Sequence, residues 1–296
     1  MTISQKPSAP LVVVVGATGT QGGSVIKALI ESDKPYRLRD LTRDTSKPAA
    51  RKLVDQGIEM VGVTIGTDNA EKVHQAFEGA NIAFVSAYTG EIDDGILMIN
   101  AAKAAKIDLL IWSGLMSVTE ASGGKYTHVD HFDGKALVTA HGRQSGVPFI
   151  DVQAGAYASN YNSAQAPRKR GDSSYELAFP CSPETLLPVI DMVSDYGLFV
   201  REAIESPAFG GGSEIFACSE LLSVADMSKQ LSEITGKKVA FHQISDDEYV
   251  ATLPEMLPEP IKIEFLETMK YLNEFGCPCL LFEPCLCRLL ITMCNS

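Results

Sequence analysis

The stretch from Leu11 to Ile30, LVVVVGATGTQGGSVIKALI, constrains the fold of this chain more than any other. It opens with five apolar residues, four of them valines, which is typical of a strand buried within a parallel sheet. A glycine-rich turn, Gly16–Gly22, follows, and apolar residues at helical spacing come after it. Strand, tight turn and helix in this order predict the phosphate-binding start of a dinucleotide fold, with a purely structural turn as the alternative.

The glycines of this turn have separate predicted roles. Gly16 permits the turn, Gly19 allows the backbone to approach a pyrophosphate, and Gly22 allows close packing of the helix on the strand. The N–H groups of the first helical turn and the helix dipole then face the phosphate charge. We therefore predict that every residue of the turn binds cofactor, namely Gly16, Ala17, Thr18, Gly19, Thr20, Gln21 and Gly22.

Length, composition and charge exclude several classes of protein. A chain of 296 residues with 45% hydrophobic residues can bury a large core in one domain or two. The sequence shows neither a signal-peptide pattern nor an apolar run long enough to span a bilayer, and few of its cysteines precede residue 277. The net charge of −12 argues against direct binding of nucleic acid. We expect a cytoplasmic protein that does not bind membranes, and a nuclear location stays open.

Segments with strand and helix patterns alternate through the first half of the chain. Strands are predicted at Tyr36–Thr42, Ile58–Val61, Ile82–Ser86, Leu109–Trp112 and Val147–Val152. Helices are predicted between them at Pro48–Gln56, Ala70–Phe77, Ile92–Lys106 and Asp130–Gln144. Repeated units of this kind predict an α/β fold, a Rossmann-type doubly wound parallel sheet that binds ligands at the carboxyl ends of its strands.

The second half of the chain is less regular. Tyr157–Pro183 is polar and predicts a loop. Later segments predict helices at Ser194–Glu205, Val224–Thr235 (with Ser223 as cap and Gly236 as stop) and Asp246–Leu253, and strands at Glu214–Cys218 and Val239–Ile244. We therefore predict an NAD(P)-binding Rossmann domain at residues 1–152 and a smaller α/β substrate-side domain at residues 153–276. Residues 277–296 form a cysteine-rich, atypical tail that we expect to be unstructured.

The cysteine-rich tail does not predict a metal site. Its cysteines are spaced as Cys277-Pro-Cys279 and Cys285-Leu-Cys287, whereas zinc sites commonly place two residues between paired cysteines. The segment is apolar throughout and has neither helix nor strand period, which points to a shifted reading frame or a retained intron. The histidines of the chain show no paired ligand spacing, so we predict no metal.

Three motifs in register resemble the NmrA-like family: GATGTQGGSV at Gly16–Val25, WSGL at Trp112–Leu115 and HFDGK at His131–Lys135. Its members are atypical short-chain dehydrogenase/reductase relatives that serve as regulators, redox sensors and oxidoreductases. The resemblance runs from about Leu11 to Tyr249 and implies an NADP-binding Rossmann domain with a small α/β C-terminal domain. It also implies cofactor contacts at Ser86, Ala87, Tyr88, Tyr157, Ala158, Ser159 and Asn160.

The residues at the end of the second predicted strand indicate whether the protein prefers NAD or NADP. Proteins that prefer NAD usually carry Asp or Glu there, but this strand ends in Leu41-Thr42-Arg43, with Lys47 close behind. A guanidinium fits a 2′-phosphate, so Arg43 predicts NADP, with NAD as the alternative. Asp44 beside it weakens this prediction, and a structural surface arginine is the other interpretation. The family resemblance implies a phosphate-binding role for Arg43 and, less strongly, for Lys47.

Ser113, His131 and Lys135 are the candidate catalytic residues. Short-chain dehydrogenases commonly combine Ser with Tyr and Lys four residues apart on a helix, and the tyrosine transfers the proton. Here Ser113 follows the predicted strand Leu109–Trp112, and Lys135 lies on the predicted helix Asp130–Gln144. His131 stands where the tyrosine would be. Imidazole titrates near neutral pH and could replace the phenol, or His131 could be structural. Lys135 could transfer a proton or only anchor the ribose of the cofactor.

Two functions fit these residues. The first is an NmrA-like NADP-dependent oxidoreductase that transfers hydride to or from a small carbonyl or enone-type metabolite, in the fungal secondary metabolism that the resemblance implies. The second is a catalytically silent NADP(H)-sensing regulator that binds a transcription factor or another protein partner, and the missing tyrosine suits it. We favour the oxidoreductase, because the predicted crevice with Ser113 and Lys135 suits hydride transfer.

Overall fold

The computed structural model describes residues 3–87, 91–162 and 165–277, and these form two compact units. The first unit comprises Met1–Leu115, Gly134–Ala154 and Met192–Ala217. The second comprises Met116–Asp133, Gly155–Asp191 and Cys218–Ser296. Two predictions, the cofactor contact at Tyr88 and the unstructured tail from residue 278 onward, lie outside the described residues.

Strands and helices alternate along most of the described residues. The strands are β1 (Leu11–Val15), β2 (Arg37–Thr42), β3 (Glu59–Gly62), β4 (Ile82–Val85), β5 (Leu109–Trp112), β6 (Phe149–Ala154), β7 (Ala156–Tyr157), β8 (Arg168–Lys169), β9 (Tyr175–Phe179), β10 (Leu186–Ile190), β11 (Glu214–Ala217), β12 (Glu220–Ser223) and β13 (Val239–Gln243). The helices are α1 (Thr20–Ile30), α2 (Pro48–Asp55), α3 (Ala70–Phe77), α4 (Glu91–Ala104), α5 (Val118–Ala121), α6 (Asp130–Gln144), α7 (Tyr196–Glu205), α8 (Val224–Thr235), α9 (Asp246–Thr252) and α10 (Glu259–Phe275). Short 3-10 turns occupy Thr67–Asn69 and Ala158–Asn162.

The first unit contains a seven-stranded sheet in the order β11-β6-β5-β4-β1-β2-β3. All of these strands pair in parallel. β1 lies inside the sheet, so that Val14 is opposite Asp40 on one side and Phe84 on the other. All five residues of β1 are buried, which explains its continuous apolar sequence. The predicted parallel sheet is confirmed.

Helices cover both faces of this sheet, as a doubly wound fold requires. On one face, alternate residues of β1 share a core with Phe77 of α3, Met98 of α4 and Val138 of α6. On the other face, Tyr196 of α7 meets the ring of Phe84 edge-on, with ring centroids 6.0 Å apart, and α7 packs on α1. Because successive strand residues point to opposite faces, the apolar run of β1 contributes to both cores.

The chain returns to the first unit late, through α7 and β11. Both segments fall within the domain predicted at residues 153–276, whereas β11 pairs with β6 and forms one end of the seven-stranded sheet. In this pairing Glu214–Ala217 lies opposite Asp151–Ala154. The contact joins distant parts of the chain, and local periodicity carries no information on such a pairing.

The second unit contains two three-stranded sheets, β12-β10-β7 and β13-β9-β8. Leu177 and Phe179 of β9 share its core with Met227 of α8 and Tyr249 of α9. The loop predicted over Tyr157–Pro183 is therefore wrong where β9 forms, because β9 pairs in parallel with β13 and buries two of its side chains. The predicted smaller α/β domain is confirmed in its fold class.

Two helices of the second unit show what local sequence does and does not reveal. α8 agrees with the prediction at both ends, since Ser223 accepts a hydrogen bond from the amide of Asp226 and Gly236 ends the helix with φ +66°. α10 has no counterpart in the sequence analysis. Among the described residues, no helix combines the length and apolar character that crossing a membrane requires.

Candidate functional site

The turn between β1 and α1 is tight and depends on glycine. Gly16 has φ +78°, a conformation that residues with side chains rarely adopt. A Cβ on Gly22 would lie 2.4 Å from the carbonyl oxygen of Gly16, and one on Gly19 would lie 3.2 Å from the same atom. The turn role of Gly16 and the close-packing role of Gly22 are confirmed.

The first turn of α1 offers backbone donors to a ligand. Helix geometry gives the N–H groups of Thr20, Gln21 and Gly22 no carbonyl acceptor within the helix. Gly19 at the N-cap provides no capping side chain, and the first turn contains no acidic residue. These amides and the helix dipole favour an anion, so the turn has the chemistry to hold a pyrophosphate.

A carboxyl group that the sequence analysis did not single out lies behind this turn. Asp40 of β2 is 0% exposed, and its Oδ1 accepts a hydrogen bond of 2.8 Å from the amide of Ala17. Its Oδ2 is buried without a hydrogen bond of ordinary geometry to any described residue. Burial raises the pKa of Asp40 to about 6, against a smaller lowering by the nearby amides of Ala17, Leu41 and Gly16.

Ser113 connects the turn to the end of β5. Nε2 of Gln21 donates a hydrogen bond of 3.0 Å to the Ser113 hydroxyl, and the Ser113 amide donates to the carbonyl of Val85. Ser113 is 1% exposed. Its hydroxyl therefore fastens α1 to the sheet in this structure, and a substrate would reach it only after Gln21 moves. The catalytic role of Ser113 stays a prediction.

Lys135 of α6 is held where β4 and β5 end. Its ammonium donates hydrogen bonds of 3.1 Å to the carbonyl oxygens of both Ala87 and Ser113, and it pairs with Glu91 of α4 at 2.7 Å. Its Nζ lies 4.9 Å from the centroid of the Trp112 ring. Three acceptors match the three N–H groups of an ammonium, so Lys135 is fixed in position. Glu91 is a site residue that the sequence analysis did not identify.

A second buried carboxyl group, Asp151 of β6, lies against the residues that follow β5. Its Oδ2 accepts hydrogen bonds from the Thr139 hydroxyl at 3.2 Å and from the side-chain Nε2 of Gln153 at 3.1 Å. Burial raises the pKa of Asp151 to about 6. A Cβ on Gly114 would lie 2.1 Å from Oδ1 of Asp151, which explains the glycine in the WSGL motif.

Arg43 and Lys47 lie on the connection from β2 to α2. Both are exposed, and neither side chain forms a hydrogen bond or an ion pair with another described residue. Asp44 instead accepts hydrogen bonds from the amide and the hydroxyl of Ser46, at 2.9 and 2.6 Å. The guanidinium of Arg43 is therefore available to a phosphate group despite the acidic residue beside it.

His131 shares α6 with Lys135, as the four-residue spacing predicts. However, its backbone amide donates a hydrogen bond of 2.7 Å to Glu264 of α10, and its Nδ1 is bonded to the same carboxylate. Glu264 is buried. These two bonds give His131 a structural role in holding α10, and that role was the alternative to proton transfer. Its catalytic role stays a prediction.

The remaining predicted contacts lie after β4 and after β6. Ser86 and Ala87 directly follow β4 and are half-buried. A second group of predicted contacts lies in β7 and the 3-10 turn after it, within the second unit: Tyr157, Ala158, Ser159 and Asn160. Cofactor binding by both groups stays a prediction.

Comparison with known proteins identifies the family. The model of the NmrA-like family matches residues 8–280. The chain belongs to the NmrA-like family. An NmrA-like family domain-containing protein of Dictyostelium discoideum is 26% identical over 277 residues, which cover 90% of this chain and 88% of that one. An NmrA-like family domain-containing oxidoreductase of Penicillium ochrochloron is 25% identical over 256 residues, with 79% and 76% covered.

A solved structure in this family has the same fold. NmrA, a negative transcriptional regulator, has been solved in complexes with NAD and with NADP. Each complex matches this chain with a TM-score of 0.73 and 24% identity, covering 90% of this chain and 82% of NmrA. The likeness confirms the Rossmann-type architecture of the NmrA-like chain.

Proposed function

We propose that the chain is an NADP-dependent oxidoreductase that transfers hydride to or from a small carbonyl or enone-type metabolite. The observation that carries the proposal is Lys135, which three acceptors hold at the edge of the sheet where the glycine-rich turn also lies. The Penicillium relative is named an oxidoreductase, and NmrA binds both NAD and NADP, which supports the proposal.

Different residues of the first unit would bind different parts of the cofactor. The open amides of Thr20, Gln21 and Gly22 would hold the pyrophosphate. Arg43 would bind the 2′-phosphate that distinguishes NADP from NAD, through charge-assisted hydrogen bonds. NAD is the alternative if Arg43 only borders the site. The nicotinamide supplies the hydride chemistry when bound.

Lys135 would bind the ribose next to the nicotinamide. In the structure all three of its N–H groups have acceptors, so a ribose hydroxyl has to replace one of them. A carbonyl that accepts hydride also needs a proton at its oxygen, and Lys135 can hold that proton at Nζ. Anchoring alone needs no proton transfer, so the two roles of Lys135 are separable by experiment.

The test is oxidation of NADPH with a panel of quinones and enones, followed by absorbance. Hydride transfer above background supports the enzyme. Lys135→Ala should reduce turnover at least about tenfold, since a hydrogen bond to a charged group contributes about 1.5–3 kcal/mol. Lys103→Ala, which removes an exposed lysine of α4, is the matched control and should leave turnover unchanged. A silent panel, or full turnover by the Lys135→Ala chain, would contradict the proposal.

A second candidate function is an NADP(H)-sensing regulator that binds a transcription factor or another protein. The observation that favours it is at position 131, where the chain has histidine in place of tyrosine and where the backbone amide and Nδ1 of that histidine are both bonded to Glu264. A sensor must bind the two redox forms of the cofactor with different affinity. Titration with NADP+ and with NADPH tests this, and equal dissociation constants would exclude the sensor.

Each candidate function implies its own binding partner and cellular context. The enzyme would need a small-molecule substrate, in secondary metabolism, and the regulator would need a protein partner in the cytoplasm or the nucleus. Neither function requires a membrane or direct binding of nucleic acid, and the net charge of −12 disfavours the latter.

A further inference from the structure

The carboxylate of Asp40 lies where its negative charge would repel the anionic ligand that the glycine-rich turn is suited to bind. Its Oδ1 holds the amide of Ala17, within the turn, at 2.8 Å. A pyrophosphate bound at the first turn of α1 would bring two further negative charges to the same short segment. The carboxyl is fully buried, and charges inside a protein are screened far less than charges in water.

No other charged group compensates Asp40 in the described part of the chain. β1 and the glycine-rich turn carry no titratable side chain. β3 contributes only Glu59, which pairs with Arg39 at 3.0 Å, and α1 contributes only Lys27, which is exposed. The position opposite Asp40 on β3 is Met60 and that on β1 is Val14, so the strands beside the carboxyl are apolar there.

We propose that Asp40 couples binding of the dinucleotide to the uptake of one proton. The carboxylate takes that proton from solvent as the pyrophosphate binds, and no other bond changes. The protonated group keeps a carbonyl oxygen for the amide of Ala17, so the turn retains its support. This inference rests on the proposed function, because it requires that a dinucleotide binds at the turn.

The acid–base properties of Asp40 suit this coupling. Burial raises its pKa to about 6, so near neutral pH the side chain is mostly ionised but accepts a proton at small cost. An additional negative charge nearby raises the pKa further. Above about pH 6, dinucleotide affinity should therefore fall with rising pH, by up to about tenfold per pH unit.

The experiment is calorimetric titration of the full chain with NADH between about pH 5 and about pH 8. NADH is the probe because the 2′-phosphate of NADPH itself titrates near pH 6, as phosphate monoesters do. Titration in two buffers of different ionisation enthalpy gives the number of protons taken up. The wild-type chain should take up close to one proton at the upper end of this range, with the fall in affinity described above.

Two variants test whether Asp40 is the group that takes up the proton. Asp40→Asn keeps an acceptor for Ala17 but cannot ionise, so it should bind NADH without proton uptake and with an affinity independent of pH. Asp44→Asn removes the same charge from an exposed residue a few positions later and should behave as wild type. If Asp40→Asn does not fold, Asp40→Ser, which cannot ionise in this range either, takes its place, and absence of proton uptake by the wild-type chain overturns the coupling without any variant.

The possible failures are distinguishable. Binding of NADH by the wild-type chain without proton uptake would overturn the coupling and leave the proposed function standing. An unchanged pH dependence in Asp40→Asn would also overturn it, because the proton would then bind elsewhere. Failure of the wild-type chain to bind NADH, NAD+ or NADPH would overturn the proposed function, and the role of Asp40 with it.

Discussion

Asp40 and Asp151 place two carboxyl groups inside a sheet whose other buried residues are mostly apolar. Each is at most 1% exposed, and burial raises the pKa of each to about 6 from an ordinary value of 3.8. At a pH between these two pKa values, the folded state still holds a proton that the unfolded chain has lost. Both residues therefore make the stability of the protein depend on pH.

We expect the free energy of unfolding to fall as pH rises from about 4 to about 6. Below the unfolded pKa both states are protonated and the contribution is fully present, and above the folded pKa it is lost. Each carboxyl should account for about 1–3 kcal/mol. Urea unfolding at several pH values measures this, and Asp151→Asn should reduce the fall. An identical pH profile in that variant would show that Asp151 does not titrate in this range.

The residues of the site differ in how far sequence reveals them. The glycines were predictable, because a turn between a buried strand and a helix restricts their positions to glycine. Asp40 left a detectable signal, since alternation in β2 puts it on the same face as Leu38, which is buried. Glu91 left none, because its pairing with Lys135 depends on how α4 and α6 pack and not on local pattern.

α1 and α7 of the first unit approach each other closely enough for backbone atoms to meet. The Gly197 amide donates a hydrogen bond of 2.9 Å to the Ser24 hydroxyl. A Cβ on Gly197 would lie 2.0 Å from the carbonyl oxygen of Ser24, which belongs to the backbone and cannot rotate away. α7 therefore covers its face of the sheet only if this position is glycine.

Gly197→Ala should lower the free energy of unfolding by about 1–3 kcal/mol, because the added methyl group forces the helices apart. Chemical denaturation measures the change. Gly171→Ala is the control, since a Cβ there meets no atom within 4 Å and the residue does not require a positive φ. Equal stability of the two variants would mean that α7 can shift without cost.

Elements of the first unit were predictable because their patterns are strong and local. The bounds of β5, α3 and α6 match the prediction, and most of the others differ by one or two residues. β9 was not predicted, since the serines before it are typical of a turn and its pairing with β13 is distant. The position of β11 beside β6 likewise depends on tertiary contact, which periodicity does not encode.

At the scale of the whole molecule, the net charge disfavours a function in which the protein binds DNA directly, and neither candidate function requires such binding. With 25 basic and 37 acidic residues, the chain has a net charge of −12, which disfavours the approach of a polyanion. Any regulatory action would then pass through a protein partner.

We expect no measurable binding of duplex DNA, with a dissociation constant weaker than about 10⁻⁴ M, the upper end for non-specific DNA binding at physiological salt. Fluorescence anisotropy of a labelled duplex, repeated at low salt, is the measurement. Micromolar binding that weakens steeply as salt is added would contradict this expectation, since it would reveal a cluster of phosphate contacts.

The pairing of β11 with β6 has a consequence for how the protein is made. On the ribosome, β6 emerges long before β11, so the nascent chain carries an unfinished sheet edge while Gly155–Asp191 is still being translated. Unfinished edges recruit other strands and promote aggregation. A gene fragment that stops near residue 154 would leave β6, a strand that is buried in the complete sheet, at the sheet edge, so an expression clone of the first unit should also encode Met192–Ala217.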